Sequence, residues 1–215
     1  MKMKSFLLGT MEHTFVFGLG GILQRVISFL LLPIYLHNLT PSDYGILALL
    51  DIIAMLFGSI ILQGLPTSVF RAFSYDYLNQ ETEQKEVVGS AYLHLIISPL
   101  IFYGLLYLLA PQISEFFFKN STGENISLVR LTFITGIFAA STNIPFAVMR
   151  AKLQSKFMIV VSIVRLFVNV SFNIYFVVFL QMNVAGIVWG NLITQFLMFI
   201  ASPLLLSNSM VWKIS

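Results

Sequence analysis

Polar side chains recur at four-residue intervals in the last third of the sequence, within stretches that are otherwise apolar. Arg165, Asn169 and Asn173 stand at positions i, i+4 and i+8, so a helix places them on one face. Asn191 and Gln195 repeat this spacing further along. In two neighbouring antiparallel helices these side chains would form a polar seam. Such a seam either hydrogen-bonds the helices together or, because Arg165 adds a charge, lines a hydrated, cationic cavity.

Two opposite charges lie within apolar stretches nearer the N-terminus. Arg25 is about 11 residues, or roughly 16 Å, into the first stretch, and Asp51 is about eight residues into the second. Antiparallel neighbours would bring the two to similar height, where they would pair or share a water-filled cavity. A buried ion pair that only fixes helix packing is the alternative.

These residue types favour an anionic, amphiphilic cargo. Guanidinium groups bind phosphate oxygens strongly and keep their charge at any relevant pH. A cavity with two arginines and one aspartate would carry net positive charge and suit a lipid with a phosphate head. Such a head needs a shielded polar path across the bilayer, and alternating access to that path is the expected mechanism. The candidate cargo or cavity residues are Arg25, Asp51, Arg165, Asn169, Asn173, Asn191 and Gln195. A further face, composed of Thr132, Gly136, Ala139, Asn143 and Ala147, is more typical of close helix packing.

The elements that must hold these residues are transmembrane helices. Of the 215 residues, 58% are hydrophobic and only 10% are charged, which is far from the composition of a soluble domain. Stretches of roughly 20 apolar residues, enough to cross about 30 Å of hydrocarbon, recur six times. We predict an all-α integral membrane protein, a six-helix bundle with approximate spans at 14–36, 44–66, 87–109, 127–149, 157–180 and 184–206. Residues 1–13 would be an N-terminal tail and residues 207–215 a C-terminal end.

Lysine and arginine residues indicate the orientation of these spans. Most of the 12 basic residues fall in the tail, in the loops after the second and fourth spans, and at the C-terminal end. The opposite loops hold only Lys119, with Arg130 just inside its helix. Because positive residues prefer the cytoplasmic side, we expect a multi-pass protein with both termini in the cytoplasm.

The composition argues against an enzyme. The sequence has no cysteine, and the only acid and histidine within the spans are Asp51 and His94, which lack supporting partners. We therefore expect no catalytic residues, no metal site and no cofactor. Coupling to a proton or sodium gradient, or to the membrane potential, stays open. Basic residues scattered through so apolar a chain form no basic face, so nucleic acid is not expected as a partner.

Several short motifs carry a family resemblance. They are Phe17-Gly18, Arg25-Val26-Ile27-Ser28-Phe29, Leu32-Pro33, Leu39-Thr40-Pro41-Ser42-Asp43-Tyr44-Gly45, Gly64-Leu65, Phe70-Arg71, Met149-Arg150-Ala151 and the run 184–191. With them the chain resembles polysaccharide biosynthesis and export proteins, the Wzx-type O-antigen flippases. The resemblance spans nearly the whole chain and implies membership of the multidrug/oligosaccharidyl-lipid/polysaccharide exporter superfamily.

The resemblance implies a function and a set of partners. Such proteins flip undecaprenyl-pyrophosphate-linked oligosaccharides across the bacterial inner membrane, for O-antigen, capsule or other polysaccharide export, by rocking two helix bundles around a cationic cavity. The resemblance also implies that Arg25 contacts the cargo. The implied partners are membrane lipids, the lipid-linked cargo, and a polysaccharide polymerase and glycosyltransferases.

The length of the chain departs from the family pattern. Family members carry roughly twice as many helices, arranged as two lobes. The chain then resembles the N-terminal lobe of a two-lobe, MATE-like flippase, with residues 207–215 a truncation or an interlobe linker. Two alternatives stay open. One is a cation-coupled multidrug exporter, which would be expected to use acidic cavity residues; the other is a noncatalytic membrane scaffold of a polysaccharide synthase complex.

Overall fold

The described part of the protein is helical throughout. The structure, a computed structural model, describes residues 35–78, 80–118 and 122–207, and no strand occurs among them. The helices are α1 (Pro41–Leu62), α2 (Leu65–Arg71), α3 (Glu81–Leu108), α4 (Ala110–Phe117), α5 (Gly123–Ser141), α6 (Asn143–Ala151), α7 (Ser155–Ile174) and α8 (Asn183–Leu206). Two π-helical segments, π1 (Ala72–Asp76) and π2 (Tyr175–Phe179), continue α2 and α7.

Five helical stretches are long and apolar enough to cross a membrane. They are Pro41–Leu62, Glu81–Leu108, Gly123–Ala151, Ser155–Phe179 and Asn183–Leu206. These stretches overlap the second to sixth predicted spans, and the predicted all-α membrane fold is confirmed. The tail 1–13, the first span up to residue 34 with Arg25, and residues 208–215 lie outside the described residues.

The start of α1 is determined by local sequence. The Thr40 hydroxyl accepts a hydrogen bond from the Asp43 backbone N–H, and the Asp43 carboxylate accepts one from the Thr40 backbone N–H at 2.8 Å. Pro41 occupies the first helical position, where its missing N–H costs nothing. The helix therefore begins where this capping sequence predicts.

The fourth predicted span is broken in the middle, between α5 and α6. Pro145 cannot donate the backbone hydrogen bond that a continuous helix needs there. Side chains at the break bond the carbonyls just before it: Thr142 Oγ1 donates to Ala139 O at 2.8 Å, and Asn143 Nδ2 to Ala139 O at 3.1 Å and Ala140 O at 3.0 Å. Side chains thus bond two of the carbonyls just before the break, which lies at membrane depth.

Helix α5 lies at the centre of the bundle, because it packs against α1, α3 and α8. Its Phe133 belongs to an aromatic cluster with Phe57, Phe102 and Tyr103. Large apolar side chains on the outer faces of α1, α3 and α7 are exposed, as lipid-facing side chains are. The interior, by contrast, carries the polar residues of the candidate site.

A buried hydrogen bond between Tyr92 and Ser202 links α3 to α8. Ser202 Oγ already donates to Phe199 O, so the Tyr92 hydroxyl is the donor. We expect Tyr92→Phe to lower the free energy of unfolding by about 1 kcal/mol. Unfolding in mixed micelles, followed by helical circular dichroism, would measure it. Tyr75→Phe is the control, because Tyr75 is largely exposed, and an equal loss in both variants would contradict this account.

Candidate functional site

A cavity of about 600 Å³ lies among α1, α3, α5, α7 and α8. Its walls combine apolar side chains with hydroxyl and amide groups at membrane depth. The polar lining residues among those described are Tyr35, Asp51, Tyr103, Thr132, Thr135, Asn143, Asn169, Asn173, Asn191 and Gln195. Within the described chain the cavity therefore brings together five of the seven residues that the sequence indicated.

Three of these amides form a hydrogen-bonded chain across the α7–α8 interface. Asn173 Nδ2 donates to Asn169 Oδ1 at 3.0 Å, and Asn169 Nδ2 donates to Asn191 Oδ1 at 2.8 Å. Asn169 Nδ2 also lies 3.4 Å from the hydroxyl of Thr194, which itself donates to Gly190 O. Three of the five residues of the predicted seam between the fifth and sixth spans thus form a hydrogen-bonded chain, in which each amide nitrogen donates to the next amide oxygen.

Two glycines make room for this arrangement. A Cβ atom at Gly190 would overlap Oδ1 of Asn173, so only glycine lets α8 approach the amide chain this closely. A Cβ atom at Gly136 would lie 2.8 Å from Cε2 and 2.9 Å from Cε1 of Tyr103. The Tyr103 ring can therefore lie flat against α5 and form part of the cavity wall.

Two of the cavity-lining side chains each hold a buried acceptor oxygen. Asn173 Oδ1 and Gln195 Oε1 are buried without a hydrogen-bond partner in the described chain. Both are neutral acceptors on side chains that also carry N–H donors. Asn173 Oδ1 lies against Gly190 of α8, so this oxygen belongs to the close contact between α7 and α8.

The charge of the described cavity differs from the cationic cavity that we expect from the sequence. Asp51, which is exposed, is the one formally charged residue among the described lining residues. Arg165 is half-buried on α7 and is not among them, although it stands four residues from Asn169. Arg25 and its expected pairing with Asp51 lie outside the described residues. The described lining is therefore neutral apart from one carboxylate.

Several lining residues were not singled out as a site by the sequence. Thr132, Gly136, Ala139 and Asn143 form the face interpreted above as a packing surface, and all four line the cavity. Their shared helical face was the available signal. Thr135, three residues after Thr132, lies beside that face, whereas nothing local in the sequence relates Tyr35 or Tyr103 to the amides.

The described arrangement is suited to binding by hydrogen bonds. No group of three or more histidine, aspartate or glutamate side chains among the described residues is placed to hold a metal ion. Amides and hydroxyls can donate and accept at once, so they can bind a neutral, hydroxyl-rich molecule in several orientations.

Comparisons with known proteins agree with this fold. The polysaccharide biosynthesis protein family matches residues 38–215. A solved structure of a MOP superfamily transporter from Pyrococcus furiosus is similar, with a TM-score of 0.74 and 14% identity over 91% of this chain and 44% of that one. This chain thus spans less than half of that transporter's length, and at such low identity the similarity shows the fold alone. No curated protein matches the chain.

The family match covers well over half of the chain, so the resemblance drawn from the sequence motifs is confirmed. The fold is similar to that of part of a MOP superfamily transporter. Taken with the spans and the polar cavity, these findings show that the chain belongs to the polysaccharide biosynthesis protein family.

Proposed function

We propose that the protein takes part in flipping a lipid-linked oligosaccharide across the bacterial inner membrane by alternating access. The observation that carries this proposal is a cavity at membrane depth whose described lining holds four asparagines and a glutamine. Moving a saccharide through hydrocarbon requires polar partners that replace water. Amide side chains supply these partners without adding charge, while the lipid tail of the cargo stays in the bilayer.

The phosphate part of the cargo needs a different contact. Arg25 and Arg165 are the proposed partners, since guanidinium groups bind phosphate oxygens strongly. Arg165 stands one helical turn from Asn169 on α7, so a change in the conformation of its long side chain would bring the guanidinium toward the amide chain. In this proposal the amides bind sugar hydroxyls and the arginines bind pyrophosphate.

The remaining parts of the proposal concern the energy source and the setting. Asp51 is the proposed coupling group for a proton or sodium gradient, or for the membrane potential, because it is the one charged group among the described lining residues. Both termini are proposed to be cytoplasmic, and a polymerase and glycosyltransferases are the proposed partners. The protein would act as a transporter without catalysis. The chain spans less than half of the similar transporter. Transport is therefore proposed for a two-lobe transporter in which this chain forms one lobe, called the whole assembly below.

One observation favours a second candidate. A cavity whose one described charge is a carboxylate would also suit a cationic, drug-like cargo, as in a cation-coupled multidrug exporter. The two candidate functions differ in the class of cargo. A transport assay that offers both a lipid-linked oligosaccharide and a cationic dye therefore distinguishes between them.

The experiment reconstitutes the whole assembly in liposomes and measures movement of a fluorescent lipid-linked oligosaccharide between leaflets. We expect saccharide flipping that Asn191→Leu reduces by at least about tenfold, since the amide chain loses its acceptor. Arg150→Gln is the control at an exposed position outside the cavity. Uptake of a cationic dye without saccharide flipping would favour the exporter. The absence of both activities would reject both candidates.

A further inference from the structure

A second polar feature lies away from the cavity, where α3 ends and α5 begins. The guanidinium carbon of Arg130 on α5 lies over the ring of Tyr107, 5.1 Å from its centroid. Tyr107 is the penultimate residue of α3, and Arg130 is about 10 Å along α5 from its first residue. Neither residue lines the cavity. The pair therefore lies near the membrane boundary, at the predicted outer end of the bundle.

Arg130 has no counterion in the described chain. The ion pairs found among the described residues join Arg71 to Asp76 and Lys85 to Glu81. Nε of Arg130 is buried without a hydrogen-bond partner, while the side chain as a whole is half-buried. The face of Tyr107 attracts the cation but does not neutralise it. A guanidinium at this depth is stabilised when it reaches an anion at the interface.

The surface beside this pair is apolar. Leu108, the residue after Tyr107 on α3, is 71% exposed, and Tyr107 itself is 37% exposed. In a membrane such a surface contacts acyl chains. An unpaired cation at the end of an apolar, lipid-facing surface is complementary to a phospholipid, whose anionic phosphate is attached directly above its acyl chains.

We propose that Arg130 and Tyr107 form a binding site for the phosphate of a membrane phospholipid. The guanidinium donates hydrogen bonds to the phosphate oxygens, the Tyr107 ring holds the guanidinium in place, and exposed Leu108 of α3 contacts the acyl chains. The site would anchor α3 and α5 at one leaflet. It is separate from the amide-lined cavity and does not rest on the proposed function.

The experiment compares lipids with and without a phosphate. The purified chain is titrated in detergent with phosphatidylglycerol, or with a galactosyl diacylglycerol of the same acyl chains, and bound lipid is counted by native mass spectrometry. We expect Arg130→Gln to weaken phosphatidylglycerol binding about fivefold and to leave galactolipid binding unchanged. Arg150→Gln is the matched control, because Arg150 is an exposed arginine at the opposite end of the helix pair α5 and α6. Equal binding by Arg130→Gln and wild type would overturn the proposal.

A measurement on the wild-type protein keeps the test independent of variant folding. A phosphatidylglycerol with a photoreactive headgroup should label peptides that contain Tyr107 or Arg130, and an excess of galactolipid should not suppress the labelling. Labelling confined to other parts of the chain would contradict the proposal. A polyprenyl diphosphate that displaces phosphatidylglycerol at least about tenfold more effectively would overturn the assignment to a bilayer lipid and make this a cargo site.

Discussion

Replacing Gly136 with alanine should lower the free energy of unfolding by about 1–3 kcal/mol. The added Cβ would lie under 3 Å from three carbons of the Tyr103 ring, and Tyr103 is 4% exposed and packed against Phe102 and Phe133. Because Tyr103 also lines the cavity, a ring displaced from α5 into that space should give the variant a smaller cavity and weaker cargo binding. Unfolding in mixed micelles measures the first effect, and saccharide binding measures the second.

The matched control is Gly104→Ala, another glycine in a membrane-length helix. A Cβ atom there meets nothing within 4 Å, so we expect no loss and a gain of up to about 1 kcal/mol from helix propensity. Combining Gly136→Ala with Tyr103→Leu should restore part of the stability, because the smaller side chain relieves the overlap. If Gly136→Ala were as stable as Gly104→Ala, the close packing of Tyr103 on α5 would be wrong.

Replacing Asn169 with leucine should have the largest effect on the candidate site. Asn169 is the middle of the amide chain, so the change leaves Asn173 Nδ2 without its acceptor and Asn191 Oδ1 without its donor. We expect a loss of about 2 kcal/mol in the free energy of unfolding, because two buried polar groups lose their partner. Flipping by the whole assembly should fall below about one tenth of wild type, since the polar wall of the cavity is interrupted. Unfolding and liposome flipping measure the two effects.

Ser171→Ala is the control on the same helix. Ser171 is exposed on α7 between Asn169 and Asn173, away from the cavity lining. We expect wild-type stability and flipping in this variant. If Asn169→Leu reduced stability but left flipping unchanged, the amide chain would serve only to pack α7 against α8, and the proposed contact with sugars would be rejected.

The sequence predicted the amide seam because the rule behind it is local. Residues four apart share a helix face, and two antiparallel helices joined by a short turn must face each other. Asn169 and Asn191 accordingly meet across α7 and α8. The same rule identified the face that contains Thr132 and Asn143, but spacing alone could not distinguish a packing surface from a cavity wall.

Arg165 shows the limit of this reasoning. Its spacing from Asn169 places it on the same face, yet it is not among the described residues that line the cavity. A helix face is broad and a long side chain can turn away from it, so residues on one face need not contact one space. The cationic cavity expected from the sequence thus depends on Arg25, which lies outside the described residues, and on the conformation of the Arg165 side chain.

Composition and periodicity by themselves determined that this protein is an all-α membrane protein, the approximate positions of its described spans, and the α7–α8 amide pairing. They could do so because hydrocarbon demands long apolar helices with internally satisfied backbones, and because helical spacing is local. Only the tertiary structure decided that Tyr103 and Asn143 join those amides around one cavity, that Asp51 is its one described charge, and that Arg130 pairs with Tyr107. These neighbours come from distant parts of the chain, and their contacts depend on how whole helices pack.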